Sequence, residues 1–297
     1  MPQTATSGNL ANAQGIIISA TRYTAEHNAP AMALTQQFKL AKGNKSVTVP
    51  KVGQYTFSAV ADGQDIVEEQ DIGMTTVDLT ASIVGAKIIV TDQLVDQSQP
   101  EVFQMVGKQL GSGLGRRKDT DVHALYTALN GGTTFGAAAS NLNAATLLGC
   151  IARAKAGKFG DDIYVLLHPN TIASYVMGAA VIGVGTTPVS QVYPIPAGWS
   201  ADLLKKFWTG IRPINGVPIW EDGNLTIDSS GDVIGVIANR DALCTLTSVA
   251  MKTERERDAS RIATEIVMTA RYGVFELDDT RGAPMTYDAA ARLTTTA

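Results

Sequence analysis

The chain has 297 residues, enough for one large or two ordinary domains whose core needs no disulfide or metal. Charged residues make up 18% of the sequence, where about 25% is usual for a soluble domain. The net charge of −4 lacks the basic excess that neutralises phosphates, so the composition argues against a protein that grips nucleic acid. A function for this chain has to explain the low charge.

The N-terminal segment, residues 1–37, is small and polar, with one apolar cluster at residues 16–18. We expect an extended arm that contains one short helix or strand. No basic segment followed by an apolar core is present at the N-terminus, so no signal peptide is expected.

Alternation and β-branched residues then predict four strands, at residues 46–50, 54–60, 74–80 and 86–90. Charge is segregated in this region: the first part carries only bases (Lys39, Lys42, Lys45 and Lys51), and residues 52–86 carry only acids. A hairpin with a basic and an acidic limb can pair across its own strands or against a neighbouring copy. A solvated hairpin with accidental segregation is the simpler alternative.

A long helix is predicted from Pro100 to Leu129, ended by the Asn130-Gly131-Gly132 sequence. Its apolar stripe comprises Phe103, Val106, Leu110, Leu114, Val122, Leu125 and Leu129. Gly111, Gly113 and Gly115 in its middle suggest a bend or a close backbone approach. These glycines imitate a nucleotide-binding loop, but they lie inside the helix and follow no strand, which argues against phosphate binding.

A second helix is predicted at residues 144–156 and a buried strand at Ile163–Leu167. From residue 163 to residue 201 the sequence contains no charged residue, yet its best apolar run, 172–185, is too short to span a bilayer of roughly 30 Å. Such a run indicates burial, either in the chain's own core or against another chain. Trp199, Trp208 and Trp220 follow it closely, as interface anchors or as core residues.

The C-terminal part is strand-rich. Strands are predicted at residues 232–239, 243–249 and 263–275, with turns at residues 240–242 and 278–282. The charges alternate over residues 254–258, which indicates a solvated loop or a strand edge.

Residues able to carry chemistry are few, and none lies in a known catalytic motif. Cys150 and Cys244 have no metal-ligand spacing, and we interpret them as two buried thiols in a reducing compartment. The histidines are His27, His123 and His168, and the last most simply makes a helix N-terminal contact. The adjacent pairs Asp161/Asp162 and Asp278/Asp279 suit turns or caps better than acid-base catalysis. We therefore predict no catalytic, cofactor-binding or metal-binding residue.

Several segments carry a family resemblance through their order along the chain. They are residues 71–98, the helix end at 121–131, the strand-to-helix entry at 163–170, residues 214–220, and the strand at 233–241 followed by the one at 266–275. In this order they resemble the major capsid protein of tailed bacteriophages, the Hong Kong ninety-seven type fold that encapsulins share. The resemblance covers nearly the whole chain.

The resemblance implies an α+β fold, the tailed-phage major capsid fold, in five parts. These are an N-terminal arm (1–37), an extended β-hairpin or E-loop (38–85), a peripheral domain (86–160) with a spine helix (100–130), an axial α/β domain (161–229), and the return strands of the peripheral domain (230–297). The E-loop is then expected to reach over a neighbouring subunit. The axial domain is expected to meet its copies around five-fold and six-fold centres.

The implied function is that of a structural protein without enzymatic activity, which self-assembles through pentamers and hexamers into an icosahedral shell around double-stranded DNA. No cofactor, membrane contact or sequence-specific DNA binding is implied. The implied partners are copies of itself, a separate scaffolding protein, a portal and a decoration protein, in the virion capsid and, before assembly, in the host cytoplasm. Two alternatives stay open: an encapsulin-type nanocompartment and an α/β enzyme with an unrecognised site.

Overall fold

The computed structural model describes residues 30–51, 57, 59–60, 62–63, 65, 73–93, 100–131, 134–173 and 213–290. These residues form a mixed α+β structure. Its α-helices are α1 (Pro30–Ala33), α2 (Pro100–His123) and α3 (Ala144–Ala156), with single 3₁₀ turns at Tyr126–Ala128 and Asp279–Arg281.

The strands form three sheets. In chain order they are β1 (Gln36–Lys39), β2 (Ser46–Lys51), β3 (Thr75–Thr80), β4 (Ser82–Thr91), β5 (Phe135–Gly136), β6 (Ile163–Leu167), β7 (Pro213–Ile214), β8 (Val217–Glu221), β9 (Asp232–Asn239), β10 (Leu243–Asp258), β11 (Ala263–Glu276) and β12 (Gly282–Asp288). A six-stranded sheet has the order β5-β12-β9-β6-β8-β7, a four-stranded sheet the order β1-β10-β11-β4, and β2 pairs with β3 alone.

The six-stranded sheet forms the centre of the fold, with β6 buried over its whole length. Side chains alternate across a strand, so Ile163, Val165 and Leu167 enter one core cluster while Tyr164 and Leu166 enter the other. Helix α3 covers the first face, and the end of α2 with the following 3₁₀ turn covers the second. A strand buried on both faces is a continuous apolar run, which is why the sequence of β6 shows no alternation.

Helix α3 has the bounds that the sequence predicts. The Asn143 side chain accepts a hydrogen bond from the backbone N–H of Thr146, and the Thr146 hydroxyl accepts one from the backbone N–H of Asn143. This reciprocal pair satisfies two of the N–H groups that have no partner inside the helix. At the other end, Gly157 terminates the helix beside the basic residues Arg153 and Lys155.

The four-stranded sheet is built on the long antiparallel pair β10 and β11. Residues 254–258 belong to β10 and pair with β11, so the solvated-loop interpretation of the alternating charges is wrong and the strand-edge interpretation is right. The parallel partner β1 covers β10 only at residues 244–247. Among the described residues, the charged end of β10 therefore pairs with β11 alone, and most of its side chains are exposed.

Helix α2 ends earlier than the sequence predicts. The α-helix stops at His123 and a 3₁₀ turn carries the chain to Leu129. At three residues per turn, positions three apart lie on one side, so Tyr126 and Leu129 both reach the core. The helix runs continuously through its glycines. The predicted alternative of a close backbone approach is wrong at Gly113, since a Cβ atom added there would have no neighbour within 4 Å apart from the backbone of its own helix.

The other predicted strands agree with the structure: β2, β3, β4, β9 and β11 overlap the predicted segments, and β10 extends well beyond its predicted end. Several predictions lie outside the described residues. These are the arm segment 1–29 with His27, most of the predicted strand 54–60, and residues 174–212 with Trp199 and Trp208.

Gly113→Ala is expected to stabilise the chain by about 0.5–1 kcal/mol, because alanine is the better helix former and the added methyl group meets no atom. Chemical denaturation of the full chain measures the change. Gly235→Ala is the matched control in a strand, where the new Cβ lies 2.5 Å from the carbonyl oxygen of Leu166 and must destabilise. A loss of stability in the Gly113 variant contradicts the open environment of that residue.

Candidate functional site

The β2–β3 hairpin is held at its base by an apolar cluster. Val47 and Val49 of β2 and Val77 and Leu79 of β3 lie on one face of the hairpin. They pack with Leu246, Phe275 and neighbouring residues of the four-stranded sheet. The base of the hairpin is therefore part of the folded body.

Beyond this base the described side chains are exposed. Phe57 is 96% exposed, and Val60 is exposed as well. Large apolar side chains in water are unfavourable, because burying one fully is worth about 1.5–3 kcal/mol.

An ion-pair network ties the hairpin to the turn between β11 and β12. The Lys51 Nζ atom lies 2.7 Å from Asp278 Oδ1, and Arg281 lies 3.2 Å from Asp278 and 3.4 Å from Asp241. Partial burial acts to raise the pKa of Asp278, but the hydrogen bonds from Lys51 and Thr280 outweigh it and hold the pKa below the ordinary value. Lys51 thus has its partner inside its own chain, outside both hairpin limbs.

The remaining basic residues of the hairpin differ from Lys51. Lys42 and Lys45 are exposed and form no ion pair with any described residue. Asp62 and Asp65 are also exposed, and Asp78 accepts a hydrogen bond from Thr48 on the opposite strand. Within the described part of the hairpin, the basic and acidic limbs do not neutralise each other.

A groove of about 330 Å³ separates α2 from the four-stranded sheet. Leu110, Gly113 and Leu114 line its helix side, and Met251 and Met268 line its sheet side. Arg117 also lines its helix side, and Val84 and Ala86 of β4 also line its sheet side. A groove lined mostly by apolar groups can accept apolar side chains of another molecule.

The two thiols are buried, as predicted. Cys150 Sγ lies 3.4 Å from the Tyr287 hydroxyl, and Cys244 lies in the cluster below the hairpin. Burial raises the pKa of both thiols, so neither is an activated nucleophile. Among the residues that the structure describes, no three His, Cys, Asp or Glu side chains are placed to hold a metal ion.

His168 and the adjacent carboxylates have the local roles that the sequence indicates. The Nδ1 atom of His168 accepts a hydrogen bond from the backbone N–H of Asn170, so this residue lies at the N-terminus of the helical residues 169–173 that follow β6. Asp278 accepts the backbone N–H of Thr280 and caps the following 3₁₀ turn. Asp161 and Asp162 lie in the bend before β6.

Sequence reasoning misses a cluster of buried polar side chains at the end of α2. Asp119 and His123 of α2 meet Asp222 and Asn224, which follow β8. The available signal is the position of Asp119 on the buried side of the helix, four residues after Gly115 and three before Val122. Its partners are about a hundred residues away, so the sequence alone does not identify them.

None of the described helices combines the length and the hydropathy that crossing a lipid bilayer requires. No family model matches the chain, and no curated protein matches its sequence.

Solved structures do match the fold. The capsid of the cyanophage P-SCSP1u is 16% identical, with a TM-score of 0.61 over 86% of this chain and 86% of that chain. The capsid of a native GTA particle is 10% identical, with a TM-score of 0.61 over 89% of this chain and 90% of that one. The holo-SrpI encapsulin complex from Synechococcus elongatus PCC 7942 is 13% identical, with a TM-score of 0.57 over 89% and 88% of the two chains.

The chain therefore has the α+β fold of tailed-phage major capsid proteins, which the encapsulin shares. The fold predicted from the order of parts is confirmed, at sequence identities too low for a sequence comparison to detect.

Lys51→Met is expected to weaken attachment of the hairpin, because Asp278 loses the one cation that comes from the hairpin and keeps only Arg281 of its own turn. The Lys51 side chain is 41% exposed, so the loss stays below about 1 kcal/mol, or about fivefold in local opening. Hydrogen exchange of the β2 amides measures it. Lys42→Met is the control, and equal exchange in both variants contradicts the anchoring role of Lys51.

Proposed function

We propose that many copies of this chain assemble into a closed capsid shell, and that the protein performs no chemical step. The observation that carries the proposal is the fold, which matches capsid subunits over more than four fifths of both chains. Shells of this kind consist of rings of identical contacts, here proposed as pentamers and hexamers. Each contact can be weak, since closure of the lattice supplies the stability.

The exposed surfaces support this assignment. The hairpin exposes Phe57 and Val60 to water in the single chain, and β4 exposes Ile83 and Ile89. A protein that worked alone would be expected to bury such groups or replace them with charge. Contacts between copies account for both features.

The parts of the chain are proposed to have the roles of the fold family. The hairpin is the E-loop, α2 is the spine helix of a peripheral domain, and residues 161–229 form the axial domain. The six-stranded sheet joins β6 and β8 of that segment to β9 and β12 of the return segment, so the two share one core. Because the two segments share one core, we expect them to move together as one rigid unit within a shell.

The proposed content is double-stranded DNA, held without sequence-specific contacts. A mildly negative chain suits this role, because a tightly bound genome could not be released. The proposed partners are a separate scaffolding protein, a portal and a decoration protein. The proposed location is the virion, after assembly in the host cytoplasm.

A nanocompartment shell is the second candidate, because one of the matching structures is an encapsulin complex. The two functions differ in cargo rather than in fold. DNA-filled particles attached to a tail favour the capsid, and an enzyme retained by a short peptide inside purified shells favours the nanocompartment.

Expression of the full chain followed by size-exclusion chromatography and negative-stain microscopy tests the proposal. Megadalton rings or shells, formed alone or with a co-expressed scaffolding protein, are the expected result. A chain that stays monomeric or forms a small defined oligomer under both conditions contradicts assembly and favours an enzyme or binding protein.

The hairpin charges are proposed to pair between subunits. Reversing Lys42 and Lys45 to Glu is expected to reduce the yield of shells, most strongly at low ionic strength, because exposed charges are screened by salt. Lys51 is left unchanged, since it already pairs with Asp278. The double replacement by Arg keeps the charge and is the control. Equal yields for both variants at every salt concentration would exclude pairing through these lysines.

A further inference from the structure

A buried polar junction connects three separate parts of the chain beneath the end of α2. Its side chains are Asp119 and His123 of α2, Tyr126 of the 3₁₀ turn, and Asp222 and Asn224 after β8. The Asn224 Nδ2 group donates to Asp119 Oδ2 at 2.8 Å, and His123 Nε2 lies 2.9 Å from Asp222 Oδ2. The backbone N–H of Asp222 donates to Leu167 at the end of β6. These contacts connect the long helix to the central sheet.

The junction contains two carboxyl groups, and the described bases and hydrogen-bond donors provide a partner for both oxygens of only one of them. Asp119 is fully buried, and its Oδ1 atom has no hydrogen-bond partner among the described residues. The Tyr126 hydroxyl is also buried without a partner there. Asp222, by contrast, accepts from His123 with one oxygen and from the backbone N–H of Asn224 with the other. Of the two carboxyl groups, Asp119 is the one poorly suited to a full negative charge.

The surroundings of Asp119 act in the same direction. Burial and the nearby Asp222 charge raise its pKa to about 7, although the Asn224 hydrogen bond, His123 and the Ala31 backbone amide of α1 each oppose the shift. Of the other titratable neighbours, Tyr126 faces both carboxyl groups and has a pKa raised by burial. His168, after β6, lies near Asp222, and burial lowers its pKa. Near neutral pH, loss of the Asp119 proton therefore adds a second negative charge beside that of Asp222.

We propose that Asp119, Asp222 and His123 form a proton-dependent clamp between α2 and the six-stranded sheet. With a proton on Asp119, the junction holds a single carboxylate beside His123, and the helix is held to the loop after β8. Loss of that proton places two buried carboxylates side by side and weakens the attachment. The clamp goes beyond the proposed function, since it is a property of the single chain.

The sign of the effect on stability follows from proton binding. The folded chain keeps the Asp119 proton up to a pH of about 7, whereas the unfolded chain releases it near the ordinary value of 3.8. Between these values the folded state binds more protons, so stability falls as the pH rises. Above about pH 7 both states are ionised and the contribution is constant.

Asp119→Asn removes this proton while keeping the size of the side chain. The unfolding constant of the wild-type chain, divided by that of the variant, is expected to rise about tenfold per pH unit between roughly pH 4.5 and 6.5 and to level off above about pH 7.5. Denaturant titrations of the full chain at several pH values measure it. Thr120→Ala, at an exposed position of the same helix and without a titratable group, is the control and is expected to keep the wild-type pH dependence. A pH-independent ratio for the Asp119 variant overturns the clamp.

Infrared difference spectra give a second test that does not need the variant to unfold reversibly. The carbonyl band of a buried carboxylic acid is expected in the wild-type chain at pH 6, and it should disappear with a midpoint near pH 7. Asn224→Ala removes the hydrogen bond that lowers the Asp119 pKa and should move this midpoint upward. A wild-type chain without the band at pH 6, or a midpoint that Asn224→Ala leaves unchanged, contradicts a proton on Asp119.

Discussion

Burial of β6 on both faces is the constraint on which the other parts of the structure depend. Ile163, Val165 and Leu167 require an apolar layer on one side, which α3 supplies, and Tyr164 and Leu166 require another, which the end of α2 supplies. The side chains of β6 therefore fix where both helices lie relative to the sheet. The position of the four-stranded sheet depends on the central sheet as well, because β10 follows the buried strand β9 directly in the chain. The hairpin in turn packs on the four-stranded sheet.

The same arrangement explains the polar junction. Covering the second face of the sheet brings the last turns of α2 against the loop after β8, and Asp119 and Asp222 are buried together there. A protein in which buried charged groups are replaced by well-packed apolar residues is often no less stable than the original. A buried carboxyl pair therefore contributes little to stability as such. What it adds is a connection whose strength depends on one proton.

The surface of the chain has the opposite character to its core. The hairpin and β4 carry exposed apolar side chains, and Lys42 and Lys45 of the hairpin form no ion pair with any described residue, while the core clusters are apolar. Shell contacts of roughly 2,000–5,000 Å² with several neighbours would cover much of the surface of a monomer of this size. In the proposed shell, the low charge of the sequence is the composition expected for a surface that other copies cover.

Local patterns in the sequence determined most of the secondary structure. The helical pattern of α3, the apolar run of β6 and the β-branched alternation of β2 to β4 depend on residues close together in the chain, and each predicted its element. The order of these elements also predicted the fold class, since that order is itself a property of the sequence. The end of α2 was not predictable, because a 3₁₀ turn at Tyr126 forms to place that residue in a distant core.

Only the tertiary structure decided which charges meet. Lys51 pairs with Asp278, which lies 227 residues away in the sequence. Asp119 accepts a hydrogen bond from Asn224, 105 residues away, and lies near Asp222, about 100 residues away. The hairpin pattern suggested pairing between its own limbs or with a neighbouring copy, and for Lys51 the fold supplies a third partner, a turn from the other end of the chain. Electrostatic partners depend on distance in space and on burial, and a sequence specifies neither until the chain has folded.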